Sequence, residues 1–212
     1  MAKIFLVVAL ILSVLSGRAF AEEKIRVAVM DLGQYGGAIT RGFASENLGA
    51  MAAEYLTQAL QESGKFSVQA QDHVAEQIAA AKIQTSGIIS PSMARKIAAV
   101  LNVDYVVYGT INGVNGDTMK IEIVSSGANV HTVRAILIVD MMYAKTGRLI
   151  VARGEGTSKS SRVKVGKDGA GFITVGNKKI PQVSVHNAIQ KAAYAVVDDM
   201  ISQLPNLAEE DD

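Results

Sequence analysis

Residues 140–161 read DMMYAKTGRLIVARGEGTSKSS. They form a β-hairpin by pattern: two alternating arms flank a turn written Lys145-Thr146-Gly147-Arg148. Upstream stands DYVVYG, Asp104 to Gly109, with apolar residues on both faces and therefore the pattern of a central strand. A central strand followed by antiparallel ribbons sets the fold class, and the rest of the chain is read outward from it.

On the N-terminal side, Lys24 to Leu32 alternates Ile25, Val27, Val29 with Arg26, Ala28, Met30, which is a strand. Asp31-Leu32-Gly33 ends it, and a glycine-rich loop runs from Gly33 to Gly42. Residues 45–62 show a helical period, with Leu48, Met51, Ala52, Tyr55, Leu56, Ala59 and Leu60 on one face. Ser45 is the expected N-cap and Gly64 the stop. Phe66-Ser67-Val68 is a short strand, and residues 72–82 are a short helix with Asp72 near its cap. Ser90-Pro91 opens a further helix, because serine caps and proline fits the first helical position. That helix runs to Leu101, and Asn102 is its left-handed stop. The central strand spans Val103 to Ile111.

Residues 113–162 read as antiparallel strands. Met119, Ile121 and Ile123 alternate with Lys120 and Glu122; Ser125 to Asn129 is turn material; Val133 to Tyr143 is a long strand. A second hairpin is expected over 159–180, in which Val163 and Val165 pair across Lys167-Asp168-Gly169 with Phe172 to Val175. Ser184 is the expected cap of a last helix over 185–204, ended by Pro205, with a disordered acidic tail over 206–212. The expected fold is α/β: a central mixed β-sheet with flanking helices on its faces, plus protruding β-hairpins. No internal repeat or composition break divides residues 22–205 into two domains.

The first twenty-one residues stand apart. Lys3, the apolar run Ile4 to Leu15 and the small-x-small site Ala19-Phe20-Ala21 have the layout of a secretory signal peptide. The run is short of the roughly 20 residues a membrane span needs. An exported chain is therefore expected, in the periplasm or the space bounded by the outer membrane. The chain contains no cysteine, so it forms no disulfide and offers no thiol for a lipid anchor; it is expected not to be lipidated. Net charge is +1, and loss of Lys3 and Arg18 with the leader makes it −1. A near-neutral chain with 5% aromatic residues has no general attraction to nucleic acid.

No set of residues carries chemistry. The loop Gly33-Gln34-Tyr35-Gly36-Gly37 follows a strand, where phosphate cradles occur, but it lacks the GxGxxG spacing and no Gly-Lys-Ser/Thr follows. Gly154 to Ser161 holds serines and Lys159, yet as the end of a charged strand rather than a rigid turn. His73, His131 and His186 have no histidine at metal-ligand spacing. Asp31 and Asp140 are the only acids placed as a catalytic carboxylate would be, and a structural role suits both better. Lys159, Arg162, Lys164, Lys167, Lys178 and Lys179 flank the second hairpin. They either draw it to an anionic polymer or headgroup, or keep a soluble hairpin from aggregating. No enzyme, cofactor, metal or small-molecule substrate is expected.

Taken together, Lys24 to Val29, Leu56 to Leu60 with Ser63-Gly64-Lys65-Phe66, Leu101 to Ile111, Val139-Asp140 with Thr146-Gly147-Arg148, Gly154-Glu155-Gly156 and the helix from Val185 resemble the CsgG family, the curli secretion channel and its relatives. The resemblance implies a periplasmic α/β domain. In channel members many copies form a ring, and each lends two hairpins to an outer-membrane β-barrel. Related periplasmic lipoproteins activate peptidoglycan synthases and form no pore. This chain departs from the channel pattern in lacking the lipidated cysteine and in having hairpins poor in aromatic girdle residues. The expectation is a non-enzymatic envelope protein acting in assembly or export of surface material, as one subunit of an outer-membrane secretion ring. The alternative is a regulatory binding protein of a peptidoglycan synthase. A homo-oligomer or an envelope protein partner is expected in either case, with outer-membrane contact a further expectation. Candidate contact residues are Tyr35, Met119, Ile121, Ile123, Val133, Val163, Val165 and Phe172.

Overall fold

The computed structural model describes residues 24–34, 47–84, 89–123, 126–163, 172–175 and 178–204. The leader, the acidic tail, Ser45 and Tyr35 lie outside them, as does Val165. The elements are β1 (Ile25–Val29), β2 (Gly33–Gln34), α1 (Leu48–Glu62), β3 (Phe66–Val68), α2 (Gln71–Ala80), α3 (Pro91–Leu101), β4 (Tyr105–Ile123), β5 (Ser126–Tyr143), β6 (Leu149–Val163), β7 (Phe172–Val175), β8 (Lys178–Pro181) and α4 (Gln182–Gln203).

The main sheet runs β3-β1-β4-β5-β6, with β2 also beside β4. β1 pairs parallel with β3 and β4, whereas β4–β5 and β5–β6 are antiparallel. The sheet is mixed, and the fold is α/β. β1 is buried on both sides. Val27 and Val29 enter one core with Leu56, Leu60, Leu137, Met141 and Ile189, under α1 and α4. Ala28 and Met30 enter the other with Val74, Ile78, Ile97 and Met142, under α2 and α3. This accounts for the near-continuous apolar reading of β1 and of the first part of β4.

Several local signals act as their chemistry requires. Ser90 Oγ accepts from Met93 N (3.3 Å), and Asn102 is left-handed at φ 51°. Gly147 takes φ 78° in the β5–β6 turn, a conformation that a side chain would strain. The base of the sheet is tied by Arg26, which donates to both carboxylate oxygens of Asp104 (2.8 and 3.1 Å). Those hydrogen bonds hold the Asp104 carboxyl below its ordinary pKa. Tyr105 and Tyr143 stack across β4–β5 at 5.0 Å.

Five expectations need correction. α1 starts at Leu48, and its cap is Asn47, whose Oδ1 accepts from Ala50 N (3.1 Å). α4 starts at Gln182, two residues before Ser184. Ser184 is buried and its Oγ donates to Ser160 Oγ (2.8 Å), so it joins helix to sheet and does not cap. The central strand does not end at Ile111: after a register shift between Ile111 and Gly113, β4 continues to Ile123. Ser126 to Asn129 are not a turn, because they pair with Ile123 to Lys120 inside β5. Backbone pairing with β4 keeps these small polar residues extended. Finally, Phe172 to Val175 pairs forward with Lys178 to Pro181, while the arm containing Val163 is the end of β6 and pairs with β5. The Gly176-Asn177 dipeptide between β7 and β8 was a hairpin signal in the sequence.

Candidate interaction surfaces

α4 packs directly on the backbone of β6. A Cβ at Gly154 would run into the carbonyl of Ala192, and one at Gly156 into the carbonyl of Ala188. The Gly-Glu-Gly string is thus a seat for a helix whose inner face carries alanines. Above this seat the buried apolar positions come to an end among the residues whose side chains are described. Val114 and Val133 are their outer rungs, followed by the buried polar side chains His131 and Ser158. Val133 is fully buried against its own subunit, so its side chain serves the core and not a partner surface.

From Gly113 outward, β4, β5 and β6 form a three-stranded ribbon. Met119, Ile121 and Ile123 lie in the distal part of β4, and Val163 ends β6. Phe172 opens β7 in the separate two-stranded sheet, so the structure does not bring it onto the ribbon's ladder. Beyond β2, which pairs with Thr110 and Ile111, the outer edge of β4 has no strand partner among the described residues.

On β5 and β6 the sheet face turned away from α4 is partly open. Leu149 (41% exposed) and Val151 (55%) stand on it, beside Ile136 and Ile138, which are half-buried. Arg134 and Glu155 form a cross-strand ion pair there. The hydrogen bond from Arg134 holds the Glu155 carboxyl below its usual value. Asp140 sits on the same face opposite Tyr108, and burial raises its pKa. The Tyr108 hydroxyl is buried with no hydrogen-bond partner among the described residues, and desolvation followed by the nearby Asp140 charge raises its pKa.

A groove of about 480 Å³ lies at the C-terminal end of β1, where ligands enter open α/β sheets. Leu32, Val74, Ile78 and Ile89 line it, with Asp31 and Asn47 among its polar residues. Asn47 is engaged as a cap, and Gln71 donates to Val29 O and Thr57 Oγ1 (3.3 Å each). The polar groups are therefore largely spent on the fold. His73 is exposed on α2, His131 is buried on β5 and His186 is half-buried on α4. Among the described residues no group of three or more His, Asp or Glu could hold a metal ion. No described helix is long and apolar enough to cross a membrane.

The sequence reading missed one group of residues, Lys191, Asp199 and Gln203 on α4, whose side chains reach the backbone of β6. Their spacing of eight and four placed them on one helical stripe. Nothing local indicated that the stripe faces a sheet edge.

Solved structures with related shape include the LpoB C-terminal domain from Escherichia coli, at 22% identity and TM-score 0.40, covering 63% of this chain and 81% of that one. The PelC dodecamer from Paraburkholderia phytofirmans matches at 14% identity and TM-score 0.39, over 84% and 87%. Lipoprotein GNA1162 from Neisseria meningitidis matches at 10% identity and TM-score 0.39, over 86% and 99%. At these levels none of the three assigns this chain a partner or an assembly. No curated protein matches it in sequence. The family model described as curli production assembly/transport component CsgG matches residues 9–210, nearly the whole chain. The chain belongs to the CsgG family and is a protein of the cell envelope.

Proposed function

We propose that this protein acts without catalysis, by surface contact, in the assembly or export of material at the cell surface, as one subunit of a homo-oligomer in the periplasm. The observation that carries this reading is the outer edge of β4 from Asn112 to Ile123, which has no hydrogen-bonded strand partner on that side among the described residues, although β8 comes near β4. A long unpaired edge is a template for strand addition, in which main-chain hydrogen bonds give affinity. Family membership supports the cellular setting. Met119, Ile121, Ile123 and Val163 lie on the ribbon that would meet the partner; Tyr35, Val165 and Phe172 are further contact candidates.

Crosslinking in intact cells tests the proposal. A ladder of self-adducts supports the oligomer. One defined foreign adduct instead supports a regulator of an envelope synthase. Absence of any adduct contradicts both. Extraction of membranes with alkaline carbonate then separates a surface-bound subunit, which is released, from one whose ribbon is inserted in the outer membrane.

A further inference from the structure

β6 is the last strand of the sheet, so its outward backbone groups face no neighbouring strand among the described residues. Three of those groups are nevertheless occupied. Arg153 N donates to Asp199 Oδ2 (3.1 Å), Gln203 Nε2 donates to Val151 O (3.4 Å), and Lys191 Nζ donates to Thr157 O (3.1 Å). Gln203 Nε2 also donates to Asp199 Oδ1 (3.1 Å), which steadies the carboxylate over the edge. The three acceptors and donors belong to odd-numbered residues of β6, whose backbone groups alternate away from β5. The side chains come from one stripe of α4. The helix lies close enough to deliver them because Gly154 and Gly156 have no Cβ.

We propose that α4 is an edge guard: Lys191, Asp199 and Gln203 close the Val151–Thr157 stretch of β6 to strand addition by a second copy of β6. The second copy is the fitting intruder on charge grounds. Antiparallel pairing centred on Gly154 sets Arg153 of each copy against Glu155 of the other, and Val151 against Thr157. Opposite charges directly across a ladder stabilise such a pair. An unguarded β6 would therefore be self-complementary. With that stretch closed, strand-mediated contact is directed to the edge of β4. The guard itself goes beyond the proposed contact role and does not depend on it; only the redirection of contact to β4 rests on that role.

Amide hydrogen exchange, followed by NMR on the chain without its leader, reads the guard directly. The Arg153 and Glu155 amides both point outward, but only Arg153 has a side-chain acceptor from α4. The Arg153 amide is expected to exchange at least about tenfold more slowly than that of Glu155. Asp199→Ala is expected to abolish this difference while the Ala152 and Gly154 amides, which face β5, stay as they were. The triple variant Lys191→Ala/Asp199→Ala/Gln203→Ala is expected to associate through β6 in sedimentation runs at concentrations where the parent shows no such species. Equal exchange at Arg153 and Glu155 in the parent overturns the proposal. So does a folded triple variant with unchanged sedimentation. Where the triple variant does not fold, the exchange of Arg153 in Asp199→Ala alone decides.

Discussion

The two ends of the same three strands differ. Near Tyr105 and Tyr143 the sheet is covered on both faces, by α1 and α4 on one side and by α2 and α3 on the other. Beyond Val114 and Val133 the strands continue as a ribbon, and the last buried apolar positions on β4 and β5 among the described side chains are those two valines. Burial holds the proximal end in place. The distal end has its own ladder, and among the described residues no strand is hydrogen-bonded to the outer edge of β4 there. On the proposed function, stability and contact are divided along one set of strands, and perturbations at the two ends should have opposite signatures.

The largest effects belong to the proximal end. Gly154→Val or Gly156→Val would drive a side chain into the α4 backbone, and urea unfolding should show a loss of about 3 kcal/mol or more. Leu56→Ala or Leu137→Ala, both at fully buried positions, should cost about 2–5 kcal/mol in the same measurement. If Asn115→Ser, at an exposed position on β4 just beyond Val114, cost as much, the division would fail; it should change stability by less than about 0.5 kcal/mol. Ser90→Ala removes the acceptor for Met93 N at the start of α3 and should cost about 1 kcal/mol.

A small effect also sits at the base of the sheet. Asp104 has a lowered pKa, mainly because Arg26 donates to it, so its contribution is complete above pH about 4 and is lost as acid protonates the carboxylate. Both side chains are partly exposed, which limits the contribution to about 0.5 kcal/mol. Asp104→Asn should lower stability by about that amount at neutral pH and flatten the acid limb of the pH–stability curve.

The proximal end was the legible part of the sequence. Helical periods marked α1, α3 and α4, and Ser90-Pro91 and Asn102 marked both ends of α3, because burial and capping leave local residue patterns. The ribbon was legible only in part. Ser126 to Asn129 looked like a turn because small polar residues serve turns and strands alike. Ser184 looked like a cap because a serine at a helix start commonly is one; its partner Ser160 is distant in sequence. The guard on β6 depends on contacts between residues more than thirty positions apart, which no local pattern reveals. Val133 alternated like a contact residue, and only the packing of α4 over β5 shows that it belongs to the core.

The most direct measurement couples a photocrosslinker to a single introduced thiol, which the absence of any native cysteine makes specific. Ile121→Cys or Ile123→Cys on the distal edge is compared in intact cells with Glu54→Cys on the exposed face of α1. The account predicts adducts from the two distal positions and none from α1. Adducts from Glu54→Cys alone, or none from either distal position in a folded protein, would contradict it.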